Sequence, residues 1–474
     1  MTRGGIVAKR RRVDSANRRH VVTHSARDRR PFIAWPLAAA IAFAIVVRAA
    51  TLAFGYAQLA ADPDGYRALA ANVATHGVYG QGDRPTAYRP PLYPLALAPW
   101  TALDDLDSLP IAAMHLLLGV ATVYLTYQLA IAAGLNRWSL LAATLVAIDP
   151  ILLRQSTLVM TETLAAWLSV AALALLTATD RRPSPALAAM TGAVLGLAVL
   201  CRPTFLAWLA LIPVVWWLVP SLRGRMANRQ PSKAGPSRRV EALVMLLAAC
   251  ACVVAPWALR NWRQFGVPII GTTHAGYTLW LGNNDRFYDY LNGDDRRLPW
   301  SATEFDAHVS DARVENATKL GDRDPRHAEL ADDAREAALA WETIGRREAD
   351  FARAALYRLG RLWGFTPWPL GDESATLTFA RRAIGVFYAV ELALVALGIV
   401  AIGARNVDAP WCWGLSLVVS LTLVHSLYWT DLRMRAVAVP MLALWAAAGA
   451  SQPWAFVPRR KRLVPNNLRM LKQP

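Results

Sequence analysis

The sequence predicts an all-α polytopic membrane protein, and three observations carry that expectation. Apolar residues make up 55% of the 474 positions and charged residues only 18%, against about 45–50% and 25% in a typical soluble domain. Several apolar runs approach or pass the roughly 20 residues that span a bilayer core. Tryptophan occurs 19 times, and Trp concentrates where a membrane meets water.

Ten apolar runs are expected to cross: residues 32–55, 109–132, 138–158, 162–179, 187–201, 203–219, 240–258, 381–404, 410–428 and 436–450. The first is too long for the core of a cleaved signal peptide and is read as an anchor. The stretch Pro91 to Leu103 is apolar but short, and Pro90, Pro91, Pro94 and Pro99 interrupt it. It reads as a re-entrant helix, since counting it as a crossing makes eleven and reverses every later loop. The expected total is therefore about 10–11 transmembrane helices.

The net charge of +17 lies mainly in three places. Residues 1–31 carry ten Arg/Lys, the segment 221–239 carries six basic residues and no acid, and the tail beyond 458 carries six more. All flank apolar spans, which is the positive-inside pattern, and no nucleic-acid recognition module accompanies them. The expected topology has both termini in the cytoplasm of a bacterium, with the protein in the plasma membrane. Cys201, Cys250, Cys252 and Cys412 sit in or beside apolar spans as small hydrophobes, not as a disulfide or zinc framework.

This parity divides the chain into a basic tail (1–31), an N-terminal transmembrane catalytic module (32–258) with an outer loop at 56–90, an extracytoplasmic insert (259–380), C-terminal transmembrane helices (381–450) and a second basic tail (451–474). The insert holds 19 Asp/Glu against 15 Arg/Lys, a net charge of −4. Within it, residues 327–363 suit an amphipathic helix broken near Gly345. No internal repeat is evident.

The residues able to do chemistry gather on the outward side. The first loop reads Ala61-Asp62-Pro63-Asp64-Gly65-Tyr66 and later Tyr88-Arg89-Pro90-Pro91-Leu92-Tyr93-Pro94. Asp62 and Asp64 suit a general base or a divalent-metal ligand, or the plainer task of capping a helix that starts near Tyr66. Glu162 opens an apolar helix on the same side, where it complements the helix dipole or completes a pair of carboxylates. Arg89, Arg202, Arg260, Arg433 and Arg435 border this face and suit bidentate phosphate binding or interfacial snorkelling. Asn283 and Asn284 suit sugar hydrogen bonds or a turn, and Asn316-Ala317-Thr318 is a glycosylation sequon. Asp149, beside Pro150, reads as the site of a kink.

Taken in order, these stretches resemble the C-type glycosyltransferases that use polyprenyl-phosphate sugars, the superfamily of protein O-mannosyltransferases and lipid A aminoarabinose transferases. The first-loop acid followed by Tyr, Arg89-Pro90-Pro91-Leu92-Tyr93-Pro94 and Thr161-Glu162-Thr163-Leu164 carry the resemblance. Pro256-Trp257-Ala258-Leu259-Arg260-Asn261, Gly282-Asn283-Asn284 and Arg433-x-Arg435 before Pro440 extend it to about residue 450.

The resemblance implies catalysis by Asp62 or Asp64 with Glu162, donor-phosphate binding by Arg89 and Arg260, and substrate contacts from Tyr66, Arg202, Asn283, Asn284 and Arg433. It brings a divalent metal ion on Asp64 and Glu162 into consideration. The partners it implies are a polyprenyl-phosphate sugar, membrane lipids and an envelope acceptor that is a lipid, a glycan or a protein hydroxyl. The reaction is a single displacement on the extracytoplasmic face. Two other readings stand beside it. One is a flippase for lipid-linked sugars, which calls for polar groups at mid-membrane depth, where Arg48 and Glu391 are the main examples. The other is a non-catalytic scaffold whose insert binds a partner.

Overall fold

The computed structural model describes residues 34–101, 108–227, 236–293, 300, 302–320, 325–369 and 374–452. Both basic tails and residues 228–235 of the third basic run lie outside the described residues, as do the side chains of the 316–318 sequon.

The chain is an integral membrane protein built almost wholly of helices. Among the described residues, seven segments are long and apolar enough to cross a membrane. They are α1 (Ala34–Phe54), α4 (Leu109–Ala132), α7 (Glu162–Arg181), α9 (Phe205–Ala227), α10 (Pro236–Phe265), α16 (Ala375–Ile402) and the 432–450 segment that ends in α18 (Val439–Ala450). An eighth is broken into α5 (Ser139–Ile148) and α6 (Pro150–Ser156), which meet at 46°. Two 17-residue apolar helices, α8 (Pro185–Cys201) and α17 (Trp411–Leu427), occupy the remaining expected spans. The ten expected runs are therefore all helical, but three of them are broken or short for a bilayer crossing.

The break has a local cause. Pro150 brings no N–H, and its ring disfavours helix at the residue before it. Asp149 leaves the helical region and caps α6, accepting a hydrogen bond from Leu152 N at 2.8 Å. The Pro-interrupted stretch forms the ten-residue helix α3 (Leu92–Thr101), which is too short to cross. It packs on α2 (Tyr66–His76).

Close helix pairs are made through glycine, as expected where lipid supplies no hydrophobic drive between helices. A Cβ on Gly192 of α8 would lie 2.0 Å from Leu246 O of α10, and one on Gly398 of α16 would lie 2.0 Å from Trp445 O of α18. The helices α7 and α18 are largely buried among the others, whereas α1 and α16 leave most of their apolar surface to lipid.

The insert consists of α11 (Ala275–Gly282), α12 (Asp285–Asn292), α13 (Thr303–Leu320), α14 (Pro325–Arg346) and α15 (Glu348–Leu362). The amphipathic run expected over 327–363 is thus two helices, with the break at Arg347, two residues past Gly345. Helix α10 continues to Phe265 and α16 starts at Ala375, so the insert is shorter at both ends than the hydropathy suggested. Its small cores, one around Trp280 and Phe305 and one around Phe287 and Tyr288, close over Trp429 in the turn after α17. Arg358 of α15 is buried and donates to Ser426 O at 2.6 Å and to Gly282 O. That arginine ties the insert to the membrane helices.

Candidate functional site

Helices α7 and α8 form an antiparallel hairpin, so the start of α7 and the end of α8 meet at the face that carries the 56–91 loop. Glu162 is the first residue of α7, where the helix dipole favours a carboxylate. Arg202 ends α8 in extended backbone because Pro203 follows it. Its guanidinium leaves the helix and meets Glu162 at 2.9 Å, and Glu162 is only 1% exposed.

A second arginine reaches the same carboxylate. Asp431 caps the short 3₁₀ turn Leu432–Ala438, and Arg433 on that turn stands 3.8 Å from Glu162. Arg202 Nη1 also donates to Thr161 Oγ1 at 3.4 Å, and the remaining partners of this arginine pair are thioethers: Arg202 Nη2 lies 2.8 Å from the Met434 sulfur and Arg433 Nη1 2.8 Å from that of Met160. Thioethers are weak acceptors. Glu162 Oε2 has no hydrogen-bond partner among the described residues. The cluster therefore holds two cations against one anion, with donor capacity in reserve.

The first loop supplies the other half. Gly65 takes φ +72°, with open space where a side chain would stand, and lets the chain turn sharply into α2. Asp62 Oδ2 accepts from Ala68 N at 2.9 Å, while its buried Oδ1 has no partner among the described residues. Asp64 and Arg89 form a salt bridge at 2.9 Å, and Arg89 Nε also donates to Asp64 O at 3.0 Å. The Arg89 guanidinium lies over the Tyr66 and Tyr88 rings at 5.7 and 5.2 Å.

Tyr66 joins the two halves. Its buried ring sits edge-on to Tyr93, 5.5 Å between centroids, and feels the charges of Arg89, Asp64, Glu162 and Arg202. Burial, the largest influence, pushes its phenol well above the ordinary value. Tyr93 is held by His115 at 2.8 Å, and His115 in turn by Ser156 O at 2.7 Å. Neither Tyr93 nor His115 was singled out from the sequence, although a histidine inside an apolar run was the available signal.

Three expected ligand-binding residues are instead engaged by the protein. Arg260 donates to Thr86 O, Tyr79 O and Asn261 Oδ1 at 2.7–2.8 Å and packs against the rings of Tyr79, Trp257 and Phe265. Asn283 is fully buried, donating to Leu279 O and Leu427 O and accepting from Tyr288 and Arg358. Asn284 caps α12 through Phe287 N at 2.9 Å. Arg435 turns away from Arg433 to Gly364 O and the Tyr388 ring. Arg260, Asn283 and Asn284 are thus held by the protein's own groups, whereas Nε and Nη2 of Arg435 have no hydrogen-bond partner among the described residues.

The pair considered for a divalent metal does not suit one. Asp64 faces Arg89 and Glu162 faces Arg202 and Arg433, so each carboxylate is already balanced by a guanidinium. Among the described residues no three His, Cys, Asp or Glu side chains come together as metal ligands.

The insert closes one side. Glu329 of α14 accepts from Thr86 Oγ1 and Ala87 N at 2.8 and 2.9 Å and from the Thr273 hydroxyl. His274 stacks on Tyr277 and tilts against Tyr88. Burial, with Arg89 and Arg313 nearby, pushes His274 down to about 3.

Residues 99–265 match the family model described as dolichyl-phosphate-mannose-protein mannosyltransferase. No curated protein sequence matches the chain. Among solved structures, the fold is similar to the archaeal oligosaccharyltransferase AglB from Archaeoglobus fulgidus in complex with an inhibitory peptide and a dolichol-phosphate, at 15% identity and a TM-score of 0.51. That match covers 88% of this chain and 50% of AglB, so the chain spans half the oligosaccharyltransferase's length. The apo form of the same enzyme matches at 14% identity and a TM-score of 0.50, covering 88% and 50%. ArnT from Cupriavidus metallidurans bound to undecaprenyl phosphate matches at 15% identity and a TM-score of 0.37, covering 87% and 76%. Residues 99–265 are thus similar to the dolichyl-phosphate-mannose-protein mannosyltransferase model, within a membrane fold similar to that of an oligosaccharyltransferase.

Proposed function

We propose that the chain is a glycosyltransferase that moves a sugar from a polyprenyl-phosphate carrier to an envelope acceptor on the extracytoplasmic face. The observation that carries this reading is the convergence of two arginines on Glu162 beside the Asp62–Asp64 loop, all at one end of the membrane helices. The family match and the fold point the same way.

In this reading the carrier phosphate sits against Arg202 and Arg433, whose excess of positive charge a phosphate neutralises better than a thioether does. Glu162 keeps both guanidinium groups aimed at it. The acceptor oxygen attacks the anomeric carbon as its proton passes to Asp62, whose buried Oδ1 is without a donor. The bond from that carbon to the phosphate oxygen breaks, and the electron pair leaves with the polyprenyl phosphate. A single displacement inverts the anomeric centre. Asp64 and Arg89 hold the loop in place around Tyr66. The sequence suggests Arg89 and Arg260 as phosphate ligands; with Arg89 paired to Asp64 and Arg260 to loop carbonyls, this reading gives the role to Arg202 and Arg433 instead.

The flippase reading draws on one buried group: Arg48, Asp149, Tyr388, Glu391 and Arg435 are all at most 2% exposed. One assay separates the two. Purified protein in liposomes is given a panel of polyprenyl-phosphate sugars and crude envelope acceptor, and free polyprenyl phosphate is followed by mass spectrometry. Turnover abolished by Asp62→Asn and Glu162→Gln supports the transferase. Intact lipid-linked sugar crossing the bilayer without turnover would sink it.

A further inference from the structure

His115 lies in the second turn of α4, fully buried, and takes no part in the displacement itself. Its two ring nitrogens reach toward opposite halves of the site. Nε2 lies 2.8 Å from the Tyr93 hydroxyl and Nδ1 2.7 Å from Ser156 O. We infer that His115 is a positioning residue: it fixes the spacing between the first loop, which brings Asp62, and the start of α7, which brings Glu162. The inference rests on the transferase reading and adds to it what keeps the two halves in register.

The hydrogen bonds decide which nitrogen carries the proton. A carbonyl oxygen only accepts, so Nδ1 donates to Ser156 O. Among the described residues no carboxylate pairs with the ring, and an unbalanced charge in this buried position is costly, so the ring is neutral. Nε2 then accepts from the Tyr93 hydroxyl.

Each contact leads on to a reacting group. The Tyr93 ring meets Tyr66 edge-on, 5.5 Å between centroids. Tyr66 opens α2, and Ala68 N in the same turn holds Asp62 Oδ2 at 2.9 Å. On the other side Ser156 ends α6, and only the loop 157–161 separates it from Glu162 at the start of α7. That loop is tightly held. Thr157, Val159, Met160 and Thr161 are at most 5% exposed, Leu158 N donates to Gln155 O, and Met160 N donates to Leu158 O. A shift at either end of the imidazole is therefore passed to Asp62 or to Glu162. A misplacement of about 1 Å can cost about 10²-fold in rate.

The role calls for a planar group that accepts on one side and donates on the other. A side-chain amide does both and an alkyl chain does neither. That difference separates positioning from mere filling of space.

The test uses the full chain in lipid nanodiscs and needs no donor for its first arm. Nitrogen-15 NMR of histidine-labelled protein at neutral pH, with His115→Gln assigning the signal among the eight histidines, should show a neutral ring protonated on Nδ1. The second arm follows release of polyprenyl phosphate well below the unfolding temperature. His115→Leu should lower kcat at least about tenfold and move the donor's KM less than about twofold, because Arg202 and Arg433 are untouched. His115→Gln should recover most of the lost kcat. Tyr93→Phe, which keeps the ring and drops one bond, should lower kcat in the same sense, and it serves where His115→Leu does not fold. Thr179→Val breaks a buried hydrogen bond to Thr191 at the far end of α7; it should lower the unfolding temperature and leave kcat in place. A charged ring or one protonated on Nε2, a kcat unmoved by His115→Leu and Tyr93→Phe, no recovery in His115→Gln, or an equal loss in Thr179→Val overturns the inference. Failure of the transferase reading looks different: wild type then shows the Nδ1 proton but releases no polyprenyl phosphate with any donor.

Discussion

Arg202→Met separates the two things the Glu162–Arg202 pair is asked to do. The pair is 2.9 Å apart, with side chains 2% and 13% exposed. Removing one partner of a buried pair costs about 3–5 kcal/mol because a charge is left stranded. Arg433 still faces Glu162 at 3.8 Å, which places the expected loss near the lower end, about 3 kcal/mol. Taking a preorganised donor away from developing charge costs on the order of 10²–10³ in kcat. Arg202→Met should therefore unfold at lower temperature in detergent and release polyprenyl phosphate at least a hundredfold more slowly. Adding Glu162→Gln removes the stranded charge. The double variant should recover most of the lost stability and none of the activity, read by thermal unfolding and by mass spectrometry of the released lipid. If stability and turnover return together, the pair is a structural clasp and the assignment of the phosphate to Arg202 fails.

Three further outcomes are expected. Gly398→Val pushes a side chain to 2.0 Å from Trp445 O and should abolish recovery of monodisperse protein, whereas Gly345→Ala, with nothing within 4 Å, should stay within about 0.5 kcal/mol of wild type. Tyr388→Phe removes the hydroxyl that accepts from Ile151 N at 3.0 Å and donates to Asp149 at 3.2 Å, and should cost about 1–3 kcal/mol in chemical unfolding. His274 sits at about 3 against 6.5 in the unfolded chain, so acid charges the unfolded chain first. Its contribution is complete above pH 6.5 and fades as pH falls toward 3; at pH 5 roughly 2 kcal/mol is gone, and His274→Phe should flatten that slope in a pH series of unfolding curves.

The membrane architecture was legible because length and apolarity are local properties. Each of the ten expected runs became helix, and the residues that shaped them announced their roles: Pro150 broke α5 from α6, and the prolines around Leu92 kept α3 too short to cross. The place of the candidate site was legible in outline for a similar reason, since Asp62, Asp64, Arg89 and Glu162 all stand near the boundary of an apolar run.

Which charges meet was another matter. Arg202 and Glu162 are forty positions apart and pair only because α7 and α8 fold back on each other; Arg433 arrives from the far end of the chain. Arg89 and Arg260 looked equally free in the sequence, yet one is matched to Asp64 and the other is consumed by carbonyls of the first loop. Asn283 and Asn284 looked like sugar ligands and serve as buried caps and braces. Composition and spacing state where a charged or polar group must come to rest relative to lipid, because burying it in hydrocarbon is costly. They do not state its partner, because that is set by which helices pack, and packing brings together residues from distant parts of the chain.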